Sequence, residues 1–286
     1  DLNEYIGTGV HEMTICVSNV GYKTKGGHLT SPDTQTNWNG ITGRIELIGY
    51  KNAHAENVML WCDIHSKTVR VTADITGGKS GKAVISAESF NSEKNHTPAV
   101  QSFGYTDGKL DALYKMGDDC LLWSEHEPNL YKLRIDIDGD VSEHIIGMRE
   151  FRTEGGKFTI NGEKTFLRGK HDGMIFPKTA FAPTDLDEWL RVMKISKSYG
   201  MNHYRYHTCC PPEAAFIAAD MLGIYMEPQL PFWGTITEEG EENHNQEEQD
   251  FLVEEGFNML KFFGNHPSYC MMSMGNELWG SKKILN

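Results

Sequence analysis

Four polar pairs in the second half of the chain could do chemistry together: His171 with Asp172, Arg205 with His207, Glu227 with Gln229, and Asn276 with Glu277. Each closes a short strand-like run. Glu277 ends SYCMMSMGNE (268–277), an otherwise apolar stretch. An ionised carboxylate is costly in such surroundings unless it has a task. The task a carboxyl group performs best is to give up and take back a proton during bond cleavage. Each histidine alone reads equally well as a hydrogen-bonded structural residue.

Alternating elements must position these pairs. KFTI-NG-EKTFLRG (157–169) reads as a hairpin with Asn161-Gly162 in a type I′ turn. A helix follows from Thr184-Asp185 to Gly200, with Leu186, Leu190, Met193, Ile195 and Tyr199 towards one face. Then come a strand at 201–207, a helix at 211–223, a strand at 224–231, a helix at 249–264 and a buried strand at 268–277. This is the rhythm of a parallel βα array. In a TIM barrel, the C-terminal ends of the strands carry the active site, and the four pairs sit at such ends. The first half differs. MTICV (13–17), RIELI (44–48), NVMLWCDI (57–64), TVRVTADI (68–75), AVISAESF (83–90), YKLRIDI (131–137) and HIIGMREF (144–151) are short alternating runs, which imply a β-sandwich. Gly78-Lys79-Ser80 lacks the P-loop's first glycine, since position 73 is Ala, and reads as a hairpin turn between strands. Asp136, Asp138 and Asp140 start like an EF-hand, but no glycine follows. Gly7-Thr8-Gly9 lacks a βαβ context.

The 286 residues carry 40 acids against 27 bases, a net charge of -13, which argues against nucleic acid or an anionic membrane as partner. No apolar run is long enough to span a membrane. DLNEYIGTGV has neither part of a signal peptide and no initiating Met, so the chain reads as starting inside a longer product. The acids between Glu238 and Glu255 read as a solvated loop entering a helix N-terminus rather than a calcium site. Six cysteines without CxxC spacing argue against zinc and against a disulfide scaffold. No metal and no cofactor are expected. Asn95-His96-Thr97 is a sequon of a length that arises by chance.

Four segments, in order, resemble glycoside hydrolase family 2, the group of β-galactosidases, β-glucuronidases and β-mannosidases. They are TNWNGITGRIELI (36–48), LLWSEHEPNLYKLRI (121–135), GMREFRTEGGKFTINGEKTFLRG (147–169) and GNHPSYCMMSMGNE (264–277). The resemblance implies a multidomain chain: the end of a jelly-roll sugar-binding domain (1–52), an immunoglobulin-like β-sandwich (53–152) that folds independently, and the first half of a (β/α)8 TIM barrel (153–286). It implies a retaining exo-β-glycosidase, most plausibly β-galactosidase-like, acting on a carbohydrate, with a periplasmic or extracellular location slightly favoured. Glu277 is then the acid/base. Asn276 bonds the sugar 2-hydroxyl, Arg205 orients the catalytic carboxylate region, His171, Asp172 and His207 line the sugar pocket, and Trp233 or Trp279 stacks on a sugar face. The nucleophile is expected on a seventh barrel strand, beyond the four counted here, so the chain reads as the middle of a longer enzyme. Several positions depart from relatives: Met272 stands where many have Trp, Arg168-Gly169 leads directly to Lys170-His171-Asp172, Arg205-Tyr206-His207 replaces Arg-x-x-His, and Gln229 takes the place of an acid. These departures bear on the sugar more than on the reaction. Sugar identity and oligomeric state are not legible. The alternative is a non-catalytic carbohydrate-binding or adhesion module. A barrel amidase or esterase lacks its G-x-S-x-G or reactive-cysteine signature.

Overall fold

The computed structural model describes residues 2, 4–18, 20–24, 27, 29 and 40–285. The segment at 36–48 is therefore described only from Gly40, and the expectation for 1–52 lies partly outside the described residues.

Seven strands make one antiparallel sheet: β1 (His54–Asp63), β2 (Thr68–Thr76), β3 (Ser80–Ser89), β4 (Gln101–Thr106), β5 (Lys109–Lys115), β6 (Tyr131–Ile137) and β7 (Asp140–Ile146). Their order is β1-β2-β5-β4-β3-β6-β7, and the edges β1 and β7 approach each other, so the sheet curls towards a barrel. Alternation explains the core. In β6, Tyr131, Leu133, Ile135 and Ile137 point inward while Lys132, Arg134 and Asp136 face out. Val69, Val71, Ala83, Ile85, Leu110 and Tyr114 complete the same core. Asp107-Gly108 and Asp138-Gly139 both have positive φ at each residue, the backbone a two-residue hairpin needs.

Three expectations for this half are corrected. β4 and β5 form a hairpin that the sequence pattern did not single out as strands. Gly77–Lys79 does not close a hairpin, because β2 and β3 are not neighbours; the β4–β5 hairpin lies between them. Residues 13–17 and 44–48 form no strand. A strand needs a neighbour to satisfy its backbone, and among the described residues none lies beside them; Ile15, Val17, Ile45 and Leu47 are exposed.

A small antiparallel sheet of β8 (Phe151–Glu154), β9 (Lys157–Ile160) and β10 (Glu163–Thr165) follows, with Asn161-Gly162 turning between the last two at positive φ. The period then changes. β11 (Gly169–Asp172), β12 (His203–Tyr206) and β13 (Tyr225–Glu227) form a parallel sheet. The crossovers are α1 (Leu186–Ser198) and α2 (Glu213–Leu222). Asp185 caps α1 by accepting from the Glu188 N–H, and Gly223 ends α2 at φ 68°. α1 buries Trp189, Met193 and Ser196; Ile195 and Tyr199, expected on that face, are exposed. A second parallel pair, β14 (Trp233–Ile236) and β15 (Asn276–Gly280), is joined by α3 (Gln246–Phe263), capped by Asn245. The expected strand at 268–277 is only partly one. Residues 269 and 273 make single parallel bridges to 226 and 229, and the continuous strand begins at Asn276. Gly275 breaks the extended backbone with φ 139°. Among the described residues the second half is thus a three-stranded parallel sheet plus a parallel pair, not a closed barrel.

Polar clamps join the two halves. Trp123 Nε1 donates to Asp220 O (2.8 Å), and Arg149 donates to Pro267 O (2.9 Å) and Tyr269 O (2.7 Å). The Asn265 amide pairs with both the carbonyl of Val58 and the N–H of Leu60, 2.8 and 2.9 Å, like an extra rung on β1. Buried Glu125 accepts from Arg168 Nη2 (2.5 Å), Asn202 Nδ2 (2.9 Å) and Thr165 Oγ1 (3.1 Å). The family-like segments WSEHEP and GNHPS are therefore the seams.

Candidate active site

Parallel register builds the site. His171, Arg205 and Glu227 are partners across β11, β12 and β13, so their side chains leave one face side by side. Their strand neighbours leave the other face: Tyr204, Tyr206 and Met226 pack with Trp189, Met193 and Ala215 under α1 and α2. Arg205 Nη2 donates to Asn276 Oδ1 at 3.0 Å, tying the end of β12 to the start of β15, and Arg205 Nη1 lies 3.4 Å from His171 Nδ1. The His171 and His207 rings meet edge to face with centroids 4.9 Å apart. His207 in turn meets Trp233 at 6.0 Å, and Trp233 is 41% exposed, its indole open to a ligand. Five residues singled out from sequence (His171, Arg205, His207, Trp233 and Asn276) thus converge.

Two do not. Asp172 lies on the opposite face. It is buried, accepts from the Met174 N–H at 2.7 Å and pairs with Lys170 at 2.9 Å, so it shapes the turn after β11. Glu277 follows Asn276 directly but is exposed rather than set in apolar surroundings. Its φ is 47°, the left-handed region that side chains other than glycine seldom occupy. Such backbone persists where surrounding structure imposes it, and it gathers at functional sites. Gly275, whose added Cβ would lie 2.5 Å from Phe232 O, and the Asn276 N–H bond to Phe232 O impose it here.

Three features escaped the sequence reading. Glu227 does not pair with Arg205; its carboxylate lies 3.1 Å from buried His203, which presses against Gly169 so closely that a Cβ there would meet its ring at 2.7 Å. Gln229 is buried and accepts from the Thr208 N–H (3.0 Å), holding Thr208 at φ 51°. Thr208 donates its hydroxyl to His207 O (2.8 Å), so its oxygen can only accept from His207 Nδ1 (3.3 Å). The cysteines offer no nucleophile to this half: burial pushes the Cys270 thiol up to about 11 and Cys209 and Cys210 well above their ordinary value. Among the described residues no group of three or more His, Cys, Asp or Glu could hold a metal ion, and no helix is long and apolar enough to cross a membrane.

Residues 53–149, the seven-stranded sheet with its flanks, match the sequence profile of Glycosyl hydrolases family 2. The chain is 22% identical over 313 residues to a β-galactosidase of Leuconostoc mesenteroides subsp. mesenteroides, covering 97% of this chain and 28% of that protein. Over residues 53–149 the chain is therefore similar to glycosyl hydrolases family 2. A putative β-glucuronidase of Formosa agariphila is 30% identical over 166 residues, 55% of this chain and 19% of that one. A family 2 member from Bacteroides cellulosilyticus shares the fold over 82% of this chain and 33% of its own, with TM-score 0.62 and 22% identity. The chain spans less than a third of the length of these curated relatives.

Proposed function

We propose that the chain carries the acid/base side of a retaining β-glycosidase site, on the first strands of a (β/α)8 barrel beginning near residue 153, behind an immunoglobulin-like sandwich at 53–152 and a jelly-roll remnant at 1–52. The observation that carries this reading is the Arg205–Asn276 bond at 3.0 Å, which draws the end of β12 and the start of β15 together and leaves Glu277 beside them with constrained backbone. Cleavage with retention needs a proton for the leaving oxygen and a carboxylate nucleophile about 5 Å from the acid. Glu277 donates that proton and then deprotonates water. Asn276 bonds the sugar 2-hydroxyl, His171 and His207 line the pocket, and Trp233 offers a flat apolar face to the pyranose. Asp172, turned away, contributes by shaping the loop. The nucleophile belongs to a segment that these residues do not include.

The names of the relatives favour a β-galactoside or a β-glucuronide as substrate, and a β-galactoside is the first choice. A panel of nitrophenyl glycosides tests this on the enzyme that contains the chain. Release from a β-galactoside, lost in Glu277→Gln for unactivated substrates, supports the reading. Saccharide binding with no hydrolysis of any β-glycoside would favour the non-catalytic alternative.

A further inference from the structure

One guanidinium at the end of β12 touches two side chains whose hydrogen-bonding polarity is not set by their own chemistry. An amide can present either its oxygen or its NH2, and a neutral imidazole carries its hydrogen on either nitrogen. Arginine is different: it has five N–H donors, no acceptor, and does not give up its proton in proteins. Whatever faces it must accept. Asn276 therefore turns its carbonyl to Arg205 Nη2 (3.0 Å), which sends its NH2 group the other way. His171 turns Nδ1 to Arg205 Nη1 (3.4 Å), so Nδ1 holds a lone pair and the ring hydrogen sits on Nε2. Neither Asn276 Nδ2 nor His171 Nε2 has a partner among the described residues.

We infer that Arg205 is a positioning residue that sets the polarity of the pocket: it presents Asn276 Nδ2–H and His171 Nε2–H as outward donors, so the site reads an oxygen acceptor and refuses a sugar carrying an ammonium group at that position. A hydroxyl brings two lone pairs to meet donors. An ammonium brings only donors, leaves both N–H groups unpaired, and meets the Arg205 charge. The orientation of the two side chains stands by itself; the sugar preference rests on the glycosidase reading above.

The test has two arms. In the first, the protein is labelled with 15N-histidine and its imidazole nitrogens are read at alkaline pH, where the rings are neutral. The His171 signal is assigned by its loss in His171→Gln. The expected spectrum has the hydrogen on Nε2, and Arg205→Met shifts both nitrogens towards a mixture of tautomers. A hydrogen on Nδ1 in the unmodified protein overturns the inference. So does an Arg205→Met spectrum that is unchanged. In the second arm, calorimetry compares methyl β-D-galactopyranoside with its 2-amino-2-deoxy analogue near neutral pH. The hydroxyl sugar is expected to bind about tenfold more tightly or better, the usual scale for leaving a buried donor such as Asn276 Nδ2 unpaired, and the ratio to fall towards unity in Arg205→Met. Equal affinities in the unmodified protein overturn the preference. Failure of both sugars to bind overturns the glycosidase reading and the preference with it, while the nitrogen spectrum still decides what Arg205 does.

Discussion

Glu277 and Arg205 make separable claims about chemistry. In the enzyme that carries this chain, Glu277→Gln should slow hydrolysis of substrates with poor leaving groups by about 10²–10⁴-fold, the usual worth of general-acid help. Activated aryl glycosides need less of that help and should lose much less. Comparing kcat/KM on the two substrate types checks this, and equal losses would remove Glu277 as the acid. Arg205→Lys keeps the charge but loses the planar fork that reaches Asn276 and His171 together. We expect kcat to fall about tenfold or more, in line with one lost charged hydrogen bond, with the melting temperature nearly unchanged. Had Arg205 paired with Glu227 for packing, stability would fall and turnover would survive, but Glu227 is engaged with His203 instead. Five of the seven candidate residues come together in the structure, and the pattern of polar residues closing strand-like runs pointed to His171 and Arg205 at the ends of β11 and β12. Asp172 faces away from His171 for a reason also written in the sequence: successive strand residues point opposite ways, so the two cannot both face Arg205. The contact between Arg205 and Asn276 was not legible, since it depends on how α3 and its flanking turns return the chain.

Between strands and helices, the buried polar clamps decide how the parts hold together, and two of them have opposite pH dependence. Burial raises the Glu125 carboxyl, but hydrogen bonds from Asn202, Arg168 and Thr165 outweigh it and hold it below its ordinary value near 4.5. A lowered carboxyl stabilises the fold above the unfolded value, and that stabilisation is lost as pH falls through the lower folded value. Burial works against a charge on His266, but the Asp220 carboxylate at 2.6 Å outweighs it and raises the imidazole above about 6.5. Its contribution is complete below that point and is lost as pH rises through the raised value. Urea midpoints against pH should therefore decline at both ends, with Glu125→Gln flattening the acid side and His266→Gln the alkaline side. Glu125→Ala should cost about 3 kcal/mol near neutrality, because Arg168 and Asn202 lose a buried partner; a loss under 1 kcal/mol would show that the cluster is solvated. The caps of α1 and α2 were readable, while α3 begins at Gln246, capped by Asn245, ahead of the expected 249; alternation pointed to the sheet strands other than β4 and β5. The pairing order was not, because a seven-stranded sheet can be threaded in many ways by the same alternating runs.

Across the chain, the polar seams lead us to expect that the 53–152 sheet unfolds together with the second half rather than on its own. Trp123, Glu125, Arg149 and Asn265 all spend their polar groups across the junction, and Gly147 is pressed between Pro267 and Trp123, where a Cβ would lie 2.7 Å from Pro267. We expect a single unfolding transition when fluorescence and far-ultraviolet dichroism are followed in urea, and two transitions in Asn265→Ala. Two transitions in the unmodified chain would return the sandwich to independence. On the far side, α3 shows Val253, Phe257 and Phe262 to solvent at 60, 70 and 67% exposure. Replacing Phe257 by Gln should raise solubility while moving stability by no more than about 0.5 kcal/mol, as a surface change does.

The Asn265 rung on β1 also carries a statement about time. It joins residues 205 and 207 positions apart in sequence, a loop whose closure is entropically slow. A ribosome delivers β1 long before it delivers Asn265, so the sheet has to wait with that stretch of β1 unclasped, and the clasp shuts late. Contacts that form after the rate-limiting barrier govern escape from the native state rather than entry to it. Stopped-flow measurements on Asn265→Ala should then show an unfolding arm displaced to faster rates and a refolding arm almost superimposed on that of the unmodified chain.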